Sequence, residues 1–192
     1  MIWTSRNLLI FEQKTLTSQE TAIKAINAQK EWKRAQTLRP IATPTPPVRA
    51  QLPFMNDSTI FCNTDAVWRS DQRAAGLAWI FSDREAHELH RGSTAQAHVS
   101  SPRMAEALAI REALIQASIL NFTNICLCTD SQELARAISS RRRSTDLFGI
   151  LSDIDSLAFS ASSPFSTISF VYISRSCNGP ADQHAKSSLS SF

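Results

Sequence analysis

The 192-residue sequence lacks any apolar run long enough to span a bilayer, and it contains no internal repeat. Its N-terminus has too short an apolar core, and no small-residue cleavage site, for a signal peptide. A hydrophobic content of 43% with 19% charged residues argues against disorder throughout the chain. We therefore expect a globular protein with neither a membrane span nor a secretory leader.

The four cysteines lack the spacing of metal and redox sites. Cys126 and Cys128 are spaced as Cys-x-Cys rather than Cys-x-x-Cys, and no second pair accompanies them. Cys62, Cys126 and Cys128 fall in predicted strands, and Cys177 falls in a predicted loop. We interpret them as reduced thiols that act as small apolar groups. This predicts an intracellular, reducing compartment and leaves nucleus and cytoplasm undecided.

The net charge of +3 is divided unevenly along the chain. Residues 1–52 hold eight basic and three acidic residues, a balance of +5, whereas residues 53–192 have a balance of −2. Because a slightly acidic region binds a polyanion poorly, a role in nucleic-acid binding would require metal ions and local basic patches. Arg141–Arg143 is such a patch, for which a solvated surface run is the default interpretation and phosphate contact the alternative.

Prolines divide the chain into two parts. Residues 18–36 have the apolar spacing of a helix. Five prolines then lie between residues 36 and 53, a density that excludes a helix or a central strand. We therefore predict a Pro-rich linker over residues 36–56 and a folded domain over residues 57–192. Residues 1–35 are interpreted as a helical segment and not as an independent domain.

The folded region has the alternating pattern of an α/β protein: three strands, a helix, a strand, two helices, a strand and a final helix. The predicted strands are Ile60–Trp68, Gly76–Phe81, His87–Gly92, Asn124–Thr129 and Ser166–Ser174. The predicted helices are Pro102–Leu120, Ser131–Ser140, Thr145–Phe159 and Pro180–Leu189.

Four carboxylates stand near the ends of these strands or the starts of these helices: Asp65, Glu106, Asp130 and Asp182. Singly, most have an ordinary explanation as helix caps or as favourable charges at a helix N-terminus, but Asp65 is disfavoured in a strand. Together they offer the oxygen ligands that hard divalent cations prefer. Two Mg²⁺ ions about 4 Å apart can activate water and stabilise the transition state of phosphodiester hydrolysis.

The sequence around these carboxylates resembles ribonuclease H type 1 domains. The segments that match, in the order of the family's motifs, are Asn63–Trp68 with Ala75–Ile80, Ala105–Ala109, Thr129–Ser131 and Asn178–Asp182. The likeness covers residues 57–186. It is greatest to the ribonuclease-H-like domain of plant non-LTR (LINE-type) retrotransposon reverse transcriptases, and residues 1–35 resemble a remnant of the polyprotein segment upstream of that domain.

The resemblance implies a ribonuclease-H-like fold, in which a mixed five-stranded sheet is flanked by helices. It implies that Asp65, Glu106, Asp130 and Asp182 are catalytic and bind two Mg²⁺ ions, for which Mn²⁺ is a substitute. The implied reaction is endonucleolytic hydrolysis of the RNA strand of an RNA–DNA hybrid, chosen through its 2′-hydroxyls. The implied partner is that hybrid. The resemblance implies no membrane partner and no small-molecule cofactor, and it leaves protein partners open.

Departures from the family pattern favour a second interpretation, a catalytically weak or inactive nucleic-acid-binding remnant of a retrotransposon polyprotein. The loop over residues 173–178 holds no histidine, whereas many ribonucleases H have one there that helps product departure. His184 stands where the family has leucine, and we interpret it as a tolerated core substitution. Because the chain ends at Phe192, soon after the last predicted helix begins, we expect Asp182 to have the weakest support.

Overall fold

The computed structural model describes residues 17–37, 57–142 and 144–190. The chain divides into two units, residues 1–46 and residues 47–192. The described part of the first unit is helix α1 (Ser18–Thr37). Its start is a capping box, because Glu20 accepts hydrogen bonds from the backbone and hydroxyl of Thr17 while its own N–H donates to the Thr17 hydroxyl. From residue 38 onward, the predicted linker lies outside the described residues, so the domain boundaries stay a prediction.

The second unit has the predicted order of strands and helices. Its elements are β1 (Ile60–Arg69), β2 (Ala74–Ser82), β3 (Glu88–Gln96), α2 (Pro102–Ile119), β4 (Asn124–Thr129), α3 (Gln132–Ser139), α4 (Phe148–Phe159), β5 (Thr167–Tyr172) and α5 (Gly179–Ser190). Short 3-10 turns cover Thr145–Leu147 and Arg175–Cys177. No helix among the described residues is long and apolar enough to cross a membrane.

Several predicted boundaries are wrong, including the start of β2, which is Ala74 rather than Gly76. Strand β3 runs to Gln96 because it pairs with β2 along its whole length, although its own sequence is weakly strand-like. Strand β5 ends at Tyr172, where its pairing with β4 also ends. The predicted helix over Thr145–Phe159 begins as a 3-10 turn and becomes α-helical only at Phe148.

The five strands form one mixed sheet in the order β3-β2-β1-β4-β5. Strands β1, β2 and β3 are antiparallel neighbours, whereas β4 is parallel to both β1 and β5. The parallel pairing of β1 with β4 ends at Asn63 and Cys128. Strand β1 therefore continues past the carboxyl end of β4, and the crevice at that end of the sheet is where ligands bind in open α/β sheets.

Helices cover both faces of the sheet. Successive side chains of a strand point to opposite faces. On β2, Leu77 packs against Ala105 and Leu108 of α2, whereas a Cβ atom on the preceding Gly76 would meet α5 at Ala185. Helices α2 and α5 therefore lie on opposite faces. Alanines at most buried positions of α2 allow it to approach the sheet closely.

The chain has only four glycines, and those in the structure have no positive φ. Left-handed backbone is adopted instead by five larger residues of the described ranges, namely Arg73, Ala86, His98, Asn121 and Arg141. This conformation brings Cβ too close to the following carbonyl oxygen, and only glycine avoids that contact. Four of these five positions therefore store strain without the short polar side chain that asparagine offers.

We expect Ala86→Gly to stabilise the protein. Ala86 has a φ of 70° in the turn between β2 and β3, and relief of the strain is worth about 1 kcal/mol, or about 3 °C in Tm for a domain of this size. Thermal unfolding followed by circular dichroism measures the change. The control is Ala137→Gly within α3, where glycine weakens a helix and should lower Tm. A lower Tm for both variants would contradict the interpretation.

Candidate active site

The structure brings three of the four predicted carboxylates together. One carboxylate oxygen each of Asp65, Glu106 and Asp130 lies within 4.8 Å of the others. Asp130 directly follows β4, and Asp65 lies on the part of β1 that continues past β4. Glu106 reaches them from α2, whose buried side faces β1. The three residues come from separate elements, so the sheet and α2 together build the group.

The local settings of these residues differ in part from the sequence interpretation. Asp65 lies within β1, as the predicted strand Ile60–Trp68 implies, and β2 pairs with β1 there. Glu106 lies beyond the first turn of α2, whose start is capped instead by the Ser101 hydroxyl accepting from the Met104 N–H at 3.1 Å. The Ser131 side chain makes no capping hydrogen bond to α3. The helix-cap explanation therefore fails for Glu106.

Asp182 stands beside this group but outside it. It lies in the first turn of α5, and its Oδ2 accepts a hydrogen bond of 2.6 Å from Lys186 Nζ. Its charge still contributes to the raised pKa of Asp65, so the two carboxylates are near each other. The structure thus places all four predicted residues at one end of the sheet, with three in contact range of a single cation.

Burial and mutual repulsion shift the acidity of the group. Burial, followed by the charges of Asp65 and Asp130, raises the pKa of Glu106 to about 9. Burial also raises the pKa of Asp65 to about 6, opposed by a hydrogen bond of 2.8 Å from the Ala66 N–H. A nearby positive charge would reverse both shifts, because it favours the ionised form of a carboxyl group.

Two buried oxygens of the carboxylate group have the surroundings expected of metal ligands. Asp65 Oδ2 and Glu106 Oε2 are buried, and no hydrogen-bond donor of the described residues reaches either of them. Buried polar atoms in proteins nearly always have a partner, which can be an ion. Carboxylate oxygens are the ligands that hard divalent cations prefer. Asp65, Glu106 and Asp130 are therefore able to hold a metal ion.

Asn178 anchors α5 beside the site, a role that the sequence did not indicate. Its side chain is fully buried. Its Nδ2 donates to the Thr64 carbonyl at 2.9 Å, and its Oδ1 accepts from Asn63 Nδ2 at 3.1 Å. Its own carbonyl accepts from the Asp182 N–H at 3.1 Å. The start of α5 is thus bonded to the strand that carries Asp65, so Asp182 has firmer support than we expected.

Arg175 is a second residue that the sequence interpretation missed. It begins the 3-10 turn before α5, and its Nε lies 3.9 Å from Asp130 Oδ2. Its side chain is 81% exposed, yet its charge acts to lower the pKa of both Asp65 and Glu106. The loop over residues 173–178, which holds no histidine, therefore supplies a cation to the carboxylate group.

An open groove of about 500 Å³ lies between the start of α2 and α3, close along the chain to Glu106 and Asp130. Three arginines line it, namely Arg103, Arg136 and Arg142. Glu133 partly offsets them, since it forms an ion pair of 3.0 Å with Arg103. The groove gives the acidic domain a local basic surface.

The predicted basic patch over Arg141–Arg143 is exposed at Arg141 and Arg142. Arg142 lines the groove, as the phosphate-contact alternative requires. Arg141 turns away, with its guanidinium 4.6 Å from the centre of the Phe159 ring and 3.7 Å from Asp155. Arg143 lies outside the described residues.

The structure shows the surroundings of two of the histidines. His184 is half buried rather than fully enclosed in the core. His87, to which the sequence gave no ligand role, lies within 4.8 Å of Asp83 and Glu85. That group is largely exposed. Asp83 forms a hydrogen bond of 2.9 Å with the His87 ring within the turn, and this bond explains why the residues lie close together.

The cysteines fit the interpretation as small apolar groups. All four are thiols, with Cys62, Cys126 and Cys128 buried in the sheet and Cys177 exposed. Trp79 is a core aromatic as predicted, whereas Trp68 is only partly buried and donates from Nε1 to the Val99 carbonyl at 2.8 Å.

Solved structures with the same fold include ribonucleases H. RNase H1 of the halophilic archaeon Halobacterium salinarum NRC-1 is 20% identical, with a TM-score of 0.63 over 70% of this chain and 99% of that one. LC11-RNase H1, isolated from compost and solved with an RNA/DNA hybrid, is 19% identical, with a TM-score of 0.62 over 69% and 97% of the two chains. A foamy viral protease-reverse transcriptase solved with dsDNA is 17% identical, with a TM-score of 0.54 over 73% and 99%.

These similarities show the fold alone, and they confirm the predicted mixed five-stranded sheet flanked by helices. The comparison with curated proteins gives no match. A family model described as reverse transcriptase-like matches residues 63–188, which include all four predicted carboxylates. The chain therefore belongs to the reverse transcriptase-like family, with an RNase H-like domain.

Proposed function

We propose that this protein is a metal-dependent endonuclease that hydrolyses the RNA strand of RNA–DNA hybrids. The observation that carries the proposal is the meeting of Asp65, Glu106 and Asp130, from three separate elements, with oxygens within 4.8 Å of one another. The ribonucleases H that share the fold, one of them solved with an RNA/DNA hybrid, support the choice of substrate.

We propose Mg²⁺ as the natural ion, two per site, with Mn²⁺ as a substitute. Bound divalent ions supply an acidified water and offset the charge that develops on the phosphate. The carboxylates must be ionised in order to bind these ions. Because the pKa of Glu106 is raised to about 9, this residue must release a proton on ion binding at neutral pH.

The basic residues complete the proposed mechanism. The exposed guanidinium of Arg175, 3.9 Å from Asp130, is free to turn toward a phosphate oxygen, to which it can offer two parallel hydrogen bonds. Arg103, Arg136 and Arg142 line the groove between α2 and α3, and we propose that they contact the phosphates of the same duplex. Discrimination of RNA from DNA requires contact with the 2′-hydroxyls near the cut.

A second candidate is a nucleic-acid-binding module that cleaves weakly or not at all. The position of Asp182 favours it, because its carboxylate stands outside the group of three and pairs with Lys186. Both candidates are consistent with our proposal that the chain derives from a plant-type non-LTR retroelement, supported by the reverse transcriptase-like match. Both also fit an intracellular, reducing compartment, supported by the thiols.

Cleavage of a labelled hybrid tests the proposal. The purified protein is incubated with an RNA–DNA hybrid labelled on each strand, with Mg²⁺, with Mn²⁺ or with a chelator. We expect shorter RNA fragments, an intact DNA strand and no cleavage in the chelator. Asp130→Asn, which keeps the shape but loses the charge, should be inactive. If neither protein cleaves but both retard the hybrid in a gel, the binding module is the correct candidate.

A further inference from the structure

Asp182 differs from the other three carboxylates because a basic side chain donates a short hydrogen bond to it. Lys186 stands four residues later on α5 and so lies on the same side of the helix. Its Nζ donates to Asp182 Oδ2 at 2.6 Å, and the two side chains are 58% and 20% exposed. The pair is thus short and charge-assisted.

The other carboxylates have no such partner at their buried oxygens. Asp65 Oδ2 and Glu106 Oε2 receive no hydrogen bond from the described residues, and Arg175 approaches Asp130 only to 3.9 Å. The first ion therefore meets three clustered carboxylate oxygens without a closely bonded cation. A second ion that binds Asp182 meets a carboxylate whose charge the Lys186 ammonium already offsets.

We propose that Lys186 competes with the second metal ion for Asp182, so that the site takes up its two ions with unequal affinity. This inference rests on the proposed two-ion function and adds a residue that sets the affinity of one ion. Lys186 is a positioning residue, since it acts through Asp182. Its exposed, flexible stem lets the ammonium leave at high ion concentration without moving α5.

The pair is partly exposed, so the competition is moderate. Ion pairs of this exposure change an equilibrium by up to about fivefold. Lys186→Gln should therefore tighten the weaker site by about fivefold and leave the tighter site within a factor of about two. Lys186→Arg, which keeps the charge, should have the same affinities as the wild type at both sites.

Mn²⁺ titration of the full chain, with free Mn²⁺ followed by electron paramagnetic resonance, measures both affinities without substrate. The control is Lys30→Gln on α1, which removes one exposed lysine charge from the other unit. We expect two sites of unequal Mn²⁺ affinity in the wild type and in Lys30→Gln. The difference between the two affinities should be smaller in Lys186→Gln. In an Asp182→Asn background, Lys186→Gln should have no further effect.

The outcomes separate this inference from the proposed function. Unchanged affinities in Lys186→Gln, or a change that persists in the Asp182→Asn background, would overturn the role of Lys186 while leaving a metal site in place. Equal change in Lys30→Gln would also overturn it, because the effect would then be general charge. A wild-type protein that binds no Mn²⁺ would overturn the metal-dependent function and the inference together.

Discussion

Asp65→Asn is expected to lower the rate of hybrid cleavage by about a thousandfold or more, the loss typical of removing a charge that stabilises the transition state. Asparagine keeps the shape of the side chain and one oxygen, but it has no charge to hold a divalent ion. Asp65 is the most buried member of the group at 3% exposure, so water cannot take its place. The measurement is the initial rate of RNA cleavage under saturating Mg²⁺.

The same substitution should stabilise the metal-free protein, in a pH-dependent way. Burial raises the pKa of Asp65 from 3.8 to about 6, so the folded state disfavours the ionised form. The penalty is absent below about pH 4 and complete above about pH 6. In a chelator, Asp65→Asn should therefore raise Tm at pH 7.5 and leave it nearly unchanged near pH 4.

Added Mg²⁺ should raise the Tm of the wild type at pH 7.5 but not that of Asp65→Asn, because a ligand stabilises only a folded state that binds it. The control is Asp153→Asn on α4, an exposed residue whose loss should change neither cleavage nor the response to Mg²⁺. Full cleavage by Asp65→Asn, or a lower Tm in the chelator at pH 7.5, would contradict the assignment of Asp65 to the metal site.

Gly76→Ala is expected to destabilise the domain by about 3 kcal/mol, the upper range for overpacking. A Cβ atom at this position would overlap the Ala185 carbonyl oxygen, and would lie 2.7 Å from Ser188 Oγ and 2.9 Å from Leu189 Cβ. Backbone cannot turn away as a side chain can, so α5 must move off the sheet. Because α5 carries Asp182, cleavage should fall as well. Urea unfolding and the cleavage assay measure the two effects.

Gly149→Ala is the matched control for this change. Gly149 lies within α4, and beyond its chain neighbours and the backbone of that helix, no atom of the described residues lies within 4 Å of the position that its Cβ would occupy. Alanine is favoured over glycine in helices by up to about 1 kcal/mol, so this variant should be slightly more stable than the wild type. Equal stability of Gly76→Ala and the wild type would show that α5 packs less closely on β2 than described.

The sequence predicted most of the fold because its pattern is local. Apolar periodicity located nearly every strand and helix. Strand β3 was too short in the prediction, since its length depends on pairing with β2 and not on its own residues. Local pattern carries no information about a partner strand.

The parts of the site that the sequence missed depend on long-range contacts. Asn178 bonds to Thr64, 114 residues earlier in the chain, and no local pattern distinguishes it from a turn asparagine. Arg175 acts on Asp130 only because β5 ends beside β4. Arg141 is exposed, as the solvated patch predicts, but nothing in the sequence shows that Phe159 and Asp155 lie next to it.

The placement of Asp65 within a strand and of Arg175 on an exposed turn has a consequence for the timescales of the site. Asp65 lies on a strand bonded to β2 across its whole length, so its backbone should exchange amide hydrogens only when the sheet opens. The 81% exposed side chain of Arg175 should change rotamer within nanoseconds. The carboxylates are thus fixed before any ligand arrives, whereas the arginine can follow a phosphate as it enters and leaves.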